Sequence, residues 1–201
     1  MKSEEIAGKL NSKIVGIAGC GGLGSNCAVA LARVGIGTLI IADFDVISPG
    51  NLNRQYYFRD QIGQKKVCAL TENIRRINPD VKVIAHDIRL TSPDIPLIFK
   101  GCDVIVEAFD LADQKEMLLE SVITEMASVP VVLGLGMAGW GMSNTIRCRK
   151  LDNIFICGDE ISEIGPELPP LAPRVGIVAN MQANMVLELL LESEGKMKND
   201  L

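Results

Sequence analysis

Histidine is nearly absent from this chain: His86 is the only one in 201 residues. That excludes a histidine-rich metal site. The six cysteines, Cys20, Cys27, Cys68, Cys102, Cys148 and Cys157, include no Cys-x-x-Cys pair, so a structural zinc built from closely spaced thiolates is not expected. No long run of Lys and Arg occurs, the net charge is -5 and the pI is about 5.0. A surface that holds nucleic acid by counterion release is therefore not expected either. Glu4 and Glu5 lie where a signal peptide would need an apolar core, and the longest uncharged stretch, around Val129 to Met142, is broken by Pro130 and several glycines. The expectation is a cytoplasmic protein without a membrane segment, its scattered thiols packing as small hydrophobes in a reducing compartment.

What is present is a core. Hydrophobic residues make up 48% of the chain, and a chain of this length buries roughly 70% of its unfolded surface. One domain over 1–201 is expected, with no repeat, linker or low-complexity tract. Lys13 to Gly19 reads as a strand running through a glycine turn into a helix over Leu23 to Val34. A second strand, Thr38 to Ala42, ends in carboxylates at Asp43 and Asp45. A helix is predicted over 62–77 and strands over 81–85, 103–108 and 131–135, with another helix over 111–127. This alternation predicts an α/β fold, a Rossmann-like doubly wound, mainly parallel sheet. After it, Ser143 to Arg149 and Asn153 to Cys157 read as an antiparallel hairpin turned by Lys150 to Asp152. A loop over 158–173 with four prolines leads to a final helix from Pro173, whose abundant apolar residues fit either a core helix or a homodimer seam.

Gly19, Gly21 and Gly24 form Gly-x-Gly-x-x-Gly between strand and helix, where bare amides at the positive helix end can approach phosphate. The bland alternative is a turn needed only for close strand-helix packing. Asp43 stands where a carboxylate bonds a ribose hydroxyl. Arg54, Lys65 and Lys66 follow in a polar loop and helix start; each alone reads as a solvated cation, but beside a phosphate turn they suit phosphoryl or nucleotidyl transfer better than hydride transfer. Asp110, past the fourth strand, fits two roles, a magnesium ligand or a helix N-cap. Asp113 and Lys115 read as first-turn or exposed-face residues. Cys157, ahead of the long loop, is the least implausible thiol for a covalent intermediate, but buried structural packing is the favoured reading for it. His86 reads as structural, and Trp140 as a cleft wall or a core ring.

The segments GCGGLGS (Gly19 to Ser25), ADFDVISPGNLNRQ (Ala42 to Gln55), IGQKK (Ile62 to Lys66), the aspartate of EAFD (Asp110) and LAPRVGIVANMQAN (Leu171 to Asn184) together resemble the ThiF/MoeB/HesA family, the adenylating relatives of ubiquitin-activating enzymes. The likeness is greatest to short ThiF-like proteins of thiamine biosynthesis. It implies that Gly19, Gly21, Gly22 and Gly24 cradle ATP, that Asp43 binds its ribose, that Arg54 and Lys66 contact phosphates, and that Asp110 coordinates Mg2+. Asp45, Asn51 and Gln55 would support the pocket. The implied reaction joins the C-terminal Gly-Gly carboxylate of a ThiS-like sulfur carrier protein to AMP, for a sulfur donor protein to consume, in a homodimer. Longer members carry two Cys-x-x-Cys pairs for zinc, which are missing here, so no zinc is expected. The arginine that members carry in an N-terminal arm has no counterpart before Lys13, which makes Arg174 a candidate to complete the site in cis. Lys115 stands where the family commonly has arginine, keeping charge but losing the planar fork. Three alternatives remain: a small molecule or tRNA as the adenylated substrate, a nicotinamide-dependent oxidoreductase, and a carrier-binding module without catalysis.

Overall fold

The computed structural model describes residues 1–192. Helix α1 (Ser3–Leu10) precedes β1 (Ile14–Ala18), α2 (Gly22–Arg33), β2 (Thr38–Asp43), α3 (Lys66–Ile77), β3 (Lys82–Asp87) and α4 (Asp94–Ile98). β4 (Val104–Glu107), α5 (Ala112–Glu125), β5 (Val131–Gly134), β6 (Arg147–Leu151), β7 (Ile154–Gly158) and α6 (Ala172–Glu192) follow. The strands form one sheet in the order β3-β2-β1-β4-β5-β7-β6, parallel except for the β6-β7 pair. The first five strands give the doubly wound Rossmann-like order, with its reversal between β1 and β4.

Side-chain parity explains why these strands read as unbroken apolar runs. Val15, Ile17, Leu39, Ile41, Val104 and Val106 face α2, α3 and α6, whereas Ile40, Ala42 and Ile105 share the opposite core with Ile95 and Phe99 near α4 and Leu118 and Val122 of α5. A strand buried on both faces has no polar alternation to show. Gly16 leaves room for the ring of Phe99, which lies 2.6 Å from where a Cβ would stand.

Several boundaries differ from expectation. The helix predicted over 62–77 begins only at Lys66, because Gly63 adopts φ +87° and donates to the Ile47 carbonyl (2.8 Å), a left-handed backbone no helix accommodates. Ser143–Thr145 forms a 3-10 turn, and the hairpin strand starts at Arg147. Lys150 and Leu151 stay in the ladder, so the turn is Asp152 and Asn153, with Asp152 at φ 52°. Helices α1 and α4 were not expected. Pro96 sits inside α4, tolerated because the first turn of a helix has no intrahelical use for the missing N–H. Helix α6 is long and apolar enough to span a bilayer by length and composition alone. Here it packs on α2, β4, β5 and β7 and buries Val178, Ala179, Ala183 and Val186, as a core helix does.

Candidate functional site

The site lies at the carboxyl ends of β1, β2 and β4, where the strand order reverses and α/β sheets leave a crevice. Gly19 turns the chain out of β1 at φ +96°, and a Cβ there would stand 2.8 Å from the Ala108 carbonyl oxygen. A Cβ on Gly24 would collide with the Gly19 carbonyl. The turn thus needs glycine at both positions and packs directly against the segment leading to Asp110. Gly21 caps α2 without any side-chain hydrogen bond, so the first amides of the helix have no side-chain acceptor from the cap residue.

Residues 51–55 fold over this turn. Asn26 Nδ2 donates to the carbonyls of Gly22 (2.7 Å) and Arg54 (2.9 Å), and the Tyr56 amide donates to Ser25 Oγ (2.9 Å). The stem of Arg54 consequently lies beside Gly22. Its Nη1 donates to the Asn53 side chain (2.7 Å) and the Gly50 carbonyl (3.1 Å), and among the described residues it pairs with no carboxylate. Gln55 is buried near Gly21, and its Oε1 has no hydrogen-bond partner among the described residues. Asn51 Oδ1 accepts the Ser48 amide (2.9 Å) and so shapes its own turn.

Asp43 joins the turn to the second strand: one carboxylate oxygen accepts the Cys20 amide (2.7 Å), the other the Asp45 amide (2.8 Å). Lys66 is buried, with Nζ 2.6 Å from Asp45 Oδ2. Tyr57, unremarked in the sequence, donates its hydroxyl to the Cys20 carbonyl (2.8 Å) and braces the turn from beneath. Burial raises both the Tyr57 hydroxyl and the Cys20 thiol well above their ordinary values, so both remain protonated. The structure therefore brings Gly19, Gly21, Gly22, Gly24, Asp43, Asp45, Arg54, Gln55 and Lys66 to one crevice edge.

Asp110 follows β4 on the other side. It is exposed and accepts no hydrogen bond among the described residues, and the cap position of α5 belongs to Leu111. The N-cap role is thereby ruled out. Asp113 accepts the Gln114 amide in the first turn of α5 (2.8 Å). No group of three or more His, Cys, Asp or Glu side chains among the described residues could hold a metal ion.

Two further expectations, for Lys115 and Arg174, need correction, whereas Cys157 has the buried packing favoured for it and Trp140 resolves between its two readings. Lys115 is not an exposed-face residue, because its Nζ is held by the buried Glu107 carboxylate (2.8 and 3.1 Å) and the Gly134 carbonyl (3.2 Å). Arg174 is not free to complete the site. It is buried in a clamp, bonding the Asp159 carboxylate and the Gly141 carbonyl, while Asp159 accepts the amides of Ile161 (2.9 Å) and Ser162 (2.8 Å). Cys157 is fully buried, and its hydrogen bond to Cys148 and its burial drive its thiol far above the ordinary value, the opposite of an activated nucleophile. Burial likewise pushes Cys27 up to about 12. Trp140, between Gly139 at φ +76° and Gly141 at φ +65°, is 70% exposed and so is no core ring. It lines a small surface cavity with Leu171, Pro173, Arg174 and Ile177.

Comparison with known proteins agrees with this architecture. The chain is 31% identical over 193 residues to the adenylyltransferase and sulfurtransferase MOCS3 of Caenorhabditis briggsae, covering 92% of this chain and 48% of that protein. It is 27% identical over 179 residues to the molybdopterin-synthase adenylyltransferase of Salmonella typhimurium, covering 87% and 71% respectively. The chain thus spans about half the length of the first relative. Among solved structures, the E. coli tRNA N6-threonylcarbamoyladenosine dehydratase TcdA in complex with AMP shares the fold, with a TM-score of 0.86, 20% identity, and coverage of 95% of this chain and 91% of that one. The sequence pattern of the ThiF family matches residues 2–201, and the chain belongs to that family.

Proposed function

We propose that this chain adenylylates the C-terminal Gly-Gly carboxylate of a ThiS-like sulfur carrier protein with ATP, supplying the acyl-adenylate to a sulfur donor protein in thiamine thiazole biosynthesis, as a cytoplasmic homodimer. The observation that carries the proposal is the convergence of the glycine turn, two cations (Arg54 and Lys66) and the uncommitted Asp110 at one crevice. Names of the relatives point the same way, two being adenylyltransferases and one a structure holding AMP.

The chemistry follows from charge. A carrier carboxylate oxygen attacks the α-phosphorus of ATP, a bond forms to that phosphorus, and the bond to the departing pyrophosphate breaks. Anion meets anion, so the barrier is electrostatic. The amides of the glycine turn and the positive end of α2 hold phosphate oxygens. Arg54 and Lys66 offset the charge that develops on the transferring and leaving groups. Asp43 and the orphaned Gln55 Oε1 accept hydrogen bonds from donors on the nucleoside. Asp110 fits Mg2+, a hard cation that commonly takes one or two carboxylates and completes its shell with phosphate oxygens and water. Bound there, the ion would neutralise triphosphate charge.

Pyrophosphate exchange tests this. Label from pyrophosphate should enter ATP only when ATP, magnesium and a carrier with an intact Gly-Gly tail are all present. Exchange with tRNA or a small carboxylic acid, but with no carrier, would move the substrate to the second class.

One observation favours a different reading. With Arg174 and Lys115 both committed elsewhere, the crevice draws its positive charge from few groups, as in a module that binds the carrier without catalysis. Asp110→Ala separates the two: exchange disappears while carrier binding persists if the chain is an enzyme, and a wild-type chain that binds carrier without exchange is the module.

A further inference from the structure

Strands β6 and β7 form the edge hairpin, and its two-residue turn sets Leu151 opposite Ile154 and Cys148 directly opposite Cys157. The Cys157 carbonyl accepts the Leu135 amide on the β5 side (2.9 Å). Its main-chain polar groups therefore face away from β6. Cys148 and Cys157 are a non-hydrogen-bonded antiparallel pair, the arrangement that brings Cα atoms to about 4.5 Å and side chains closest. Their sulfurs are 3.6 Å apart. A disulfide needs Cα atoms roughly 4.4–6.8 Å apart and an S–S bond of about 2.05 Å, so closure requires side-chain movement of about 1.5 Å and none of the backbone.

The two thiols are unlike. Cys148 is half-buried, and the hydrogen bond from Cys157 holds its thiol below the ordinary value despite partial burial and the nearby Glu188. Cys157 is sealed beneath it. That is one accessible thiol and one resolving thiol in contact, a combination the adenylylation chemistry does not use.

The geometry points to a redox modification site: a hydroperoxide oxidises Cys148, and Cys157 closes a reversible disulfide to it. The Cys148 sulfur attacks one peroxide oxygen, an S–O bond forms as the O–O bond breaks, and the displaced oxygen leaves as water after taking the thiol proton. Contact at 3.6 Å takes the place of thiolate activation: the Cys157 sulfur attacks the Cys148 sulfenic sulfur as its proton passes to the sulfenic oxygen, the S–O bond breaks, and the hydroxyl leaves with that proton as a second water. Two thiols lose two electrons and one hydrogen peroxide is reduced to two waters. The bridge fastens the sheet edge to the strand running into Asp159 and Glu160, which Arg174 and Arg149 hold. The base of the 159–171 loop would be stiffened by it.

The test treats the full chain with hydrogen peroxide and follows each thiol by alkylation and peptide mass spectrometry, with exposed Cys68 as the reference surface thiol. The expected result is a Cys148–Cys157 linkage, formed at lower peroxide than oxidation of Cys68 and reversed by dithiothreitol. In Cys157→Ser, Cys148 should accumulate as a sulfenic acid that dimedone traps. Both thiols staying alkylatable in the wild-type chain at doses that oxidise Cys68 would overturn the proposal. So would Cys148 ending as sulfinic acid, or linked to another molecule, with Cys157 still free. The wild-type readout stands even if the Ser variant fails to fold.

Discussion

Lys115 Nζ lies 2.8 Å from Oε2 of Glu107, a carboxylate with no exposed surface. Glu107 Oε1 also accepts the Phe109 amide (2.6 Å), so the pair fixes the turn that ends in Asp110. Burial raises the Glu107 carboxyl above its ordinary value, and Lys115 pulls it partly back.

Lys115→Met should therefore cost about 3–5 kcal/mol near neutral pH, the usual penalty for orphaning one partner of a buried pair. The sign of its pH dependence is fixed. A carboxyl whose folded pKa is raised gives its stabilisation at low pH and loses it as pH rises through that folded value. Without Lys115 the folded value climbs further, so denaturant unfolding should show a larger penalty at about pH 8 than at about pH 5. An equal penalty at both would mean that the charge of the pair is not its source.

Lys66→Met should lower pyrophosphate exchange by about 10²–10³-fold, the range for removing one donor at a developing charge. Nucleotide binding should survive on the glycine turn. Lys66→Arg should fail to restore the rate, because a planar fork does not replace an ammonium whose side chain is only 7% exposed.

Gly24→Ala drives a methyl group into the Gly19 carbonyl. Overpacking of this kind costs about 1–3 kcal/mol, and here it displaces the glycine turn. The rise in melting temperature on adding ATP should vanish. Gly50→Ala, whose new methyl would meet nothing closer than Ser48 Oγ at 4.0 Å, should retain it.

Asp159 ties the 159–171 loop to α6. Burial alone would raise its carboxyl, but hydrogen bonds from Ser162 and Ile161, together with Arg174, hold it below its ordinary value. A lowered folded pKa gives stabilisation that is present above the unfolded value and lost as pH falls through the folded one. Hydrogen exchange of residues 160–171 should quicken as pH drops below about 4, after correction for intrinsic rates. Asp159→Asn should be fast throughout and show no such step.

Much of this was legible in the sequence where burial on two faces wrote it there. The strands now seen as β1, β2, β4 and β5 begin and end within a residue of the apolar runs that predicted them, and the glycine turn declared itself because Gly19 and Gly24 serve a backbone approach that no other residue allows. Helix α1 buries only Leu10 fully and α4 carries an internal proline, so neither left a periodic signal. Partnerships were the invisible part. Lys115 with Glu107, Arg174 with Asp159, and Cys148 with Cys157 are set by strand register and helix docking, not by spacing. One clue was available: Glu107 is a lone charge inside the apolar strand DVIVEA, and a charge buried in a parallel sheet requires a partner.

Covalent transfer of AMP to a carrier tail is read out by intact-mass spectrometry of the carrier. After incubation with this chain, ATP and magnesium, a carrier ending in Gly-Gly should gain the mass of one AMP moiety, and the same carrier lacking its last glycine should gain nothing. A carrier that binds the ATP-loaded chain with its tail intact, yet keeps its original mass and supports no pyrophosphate exchange, would overturn the adenylylation reading.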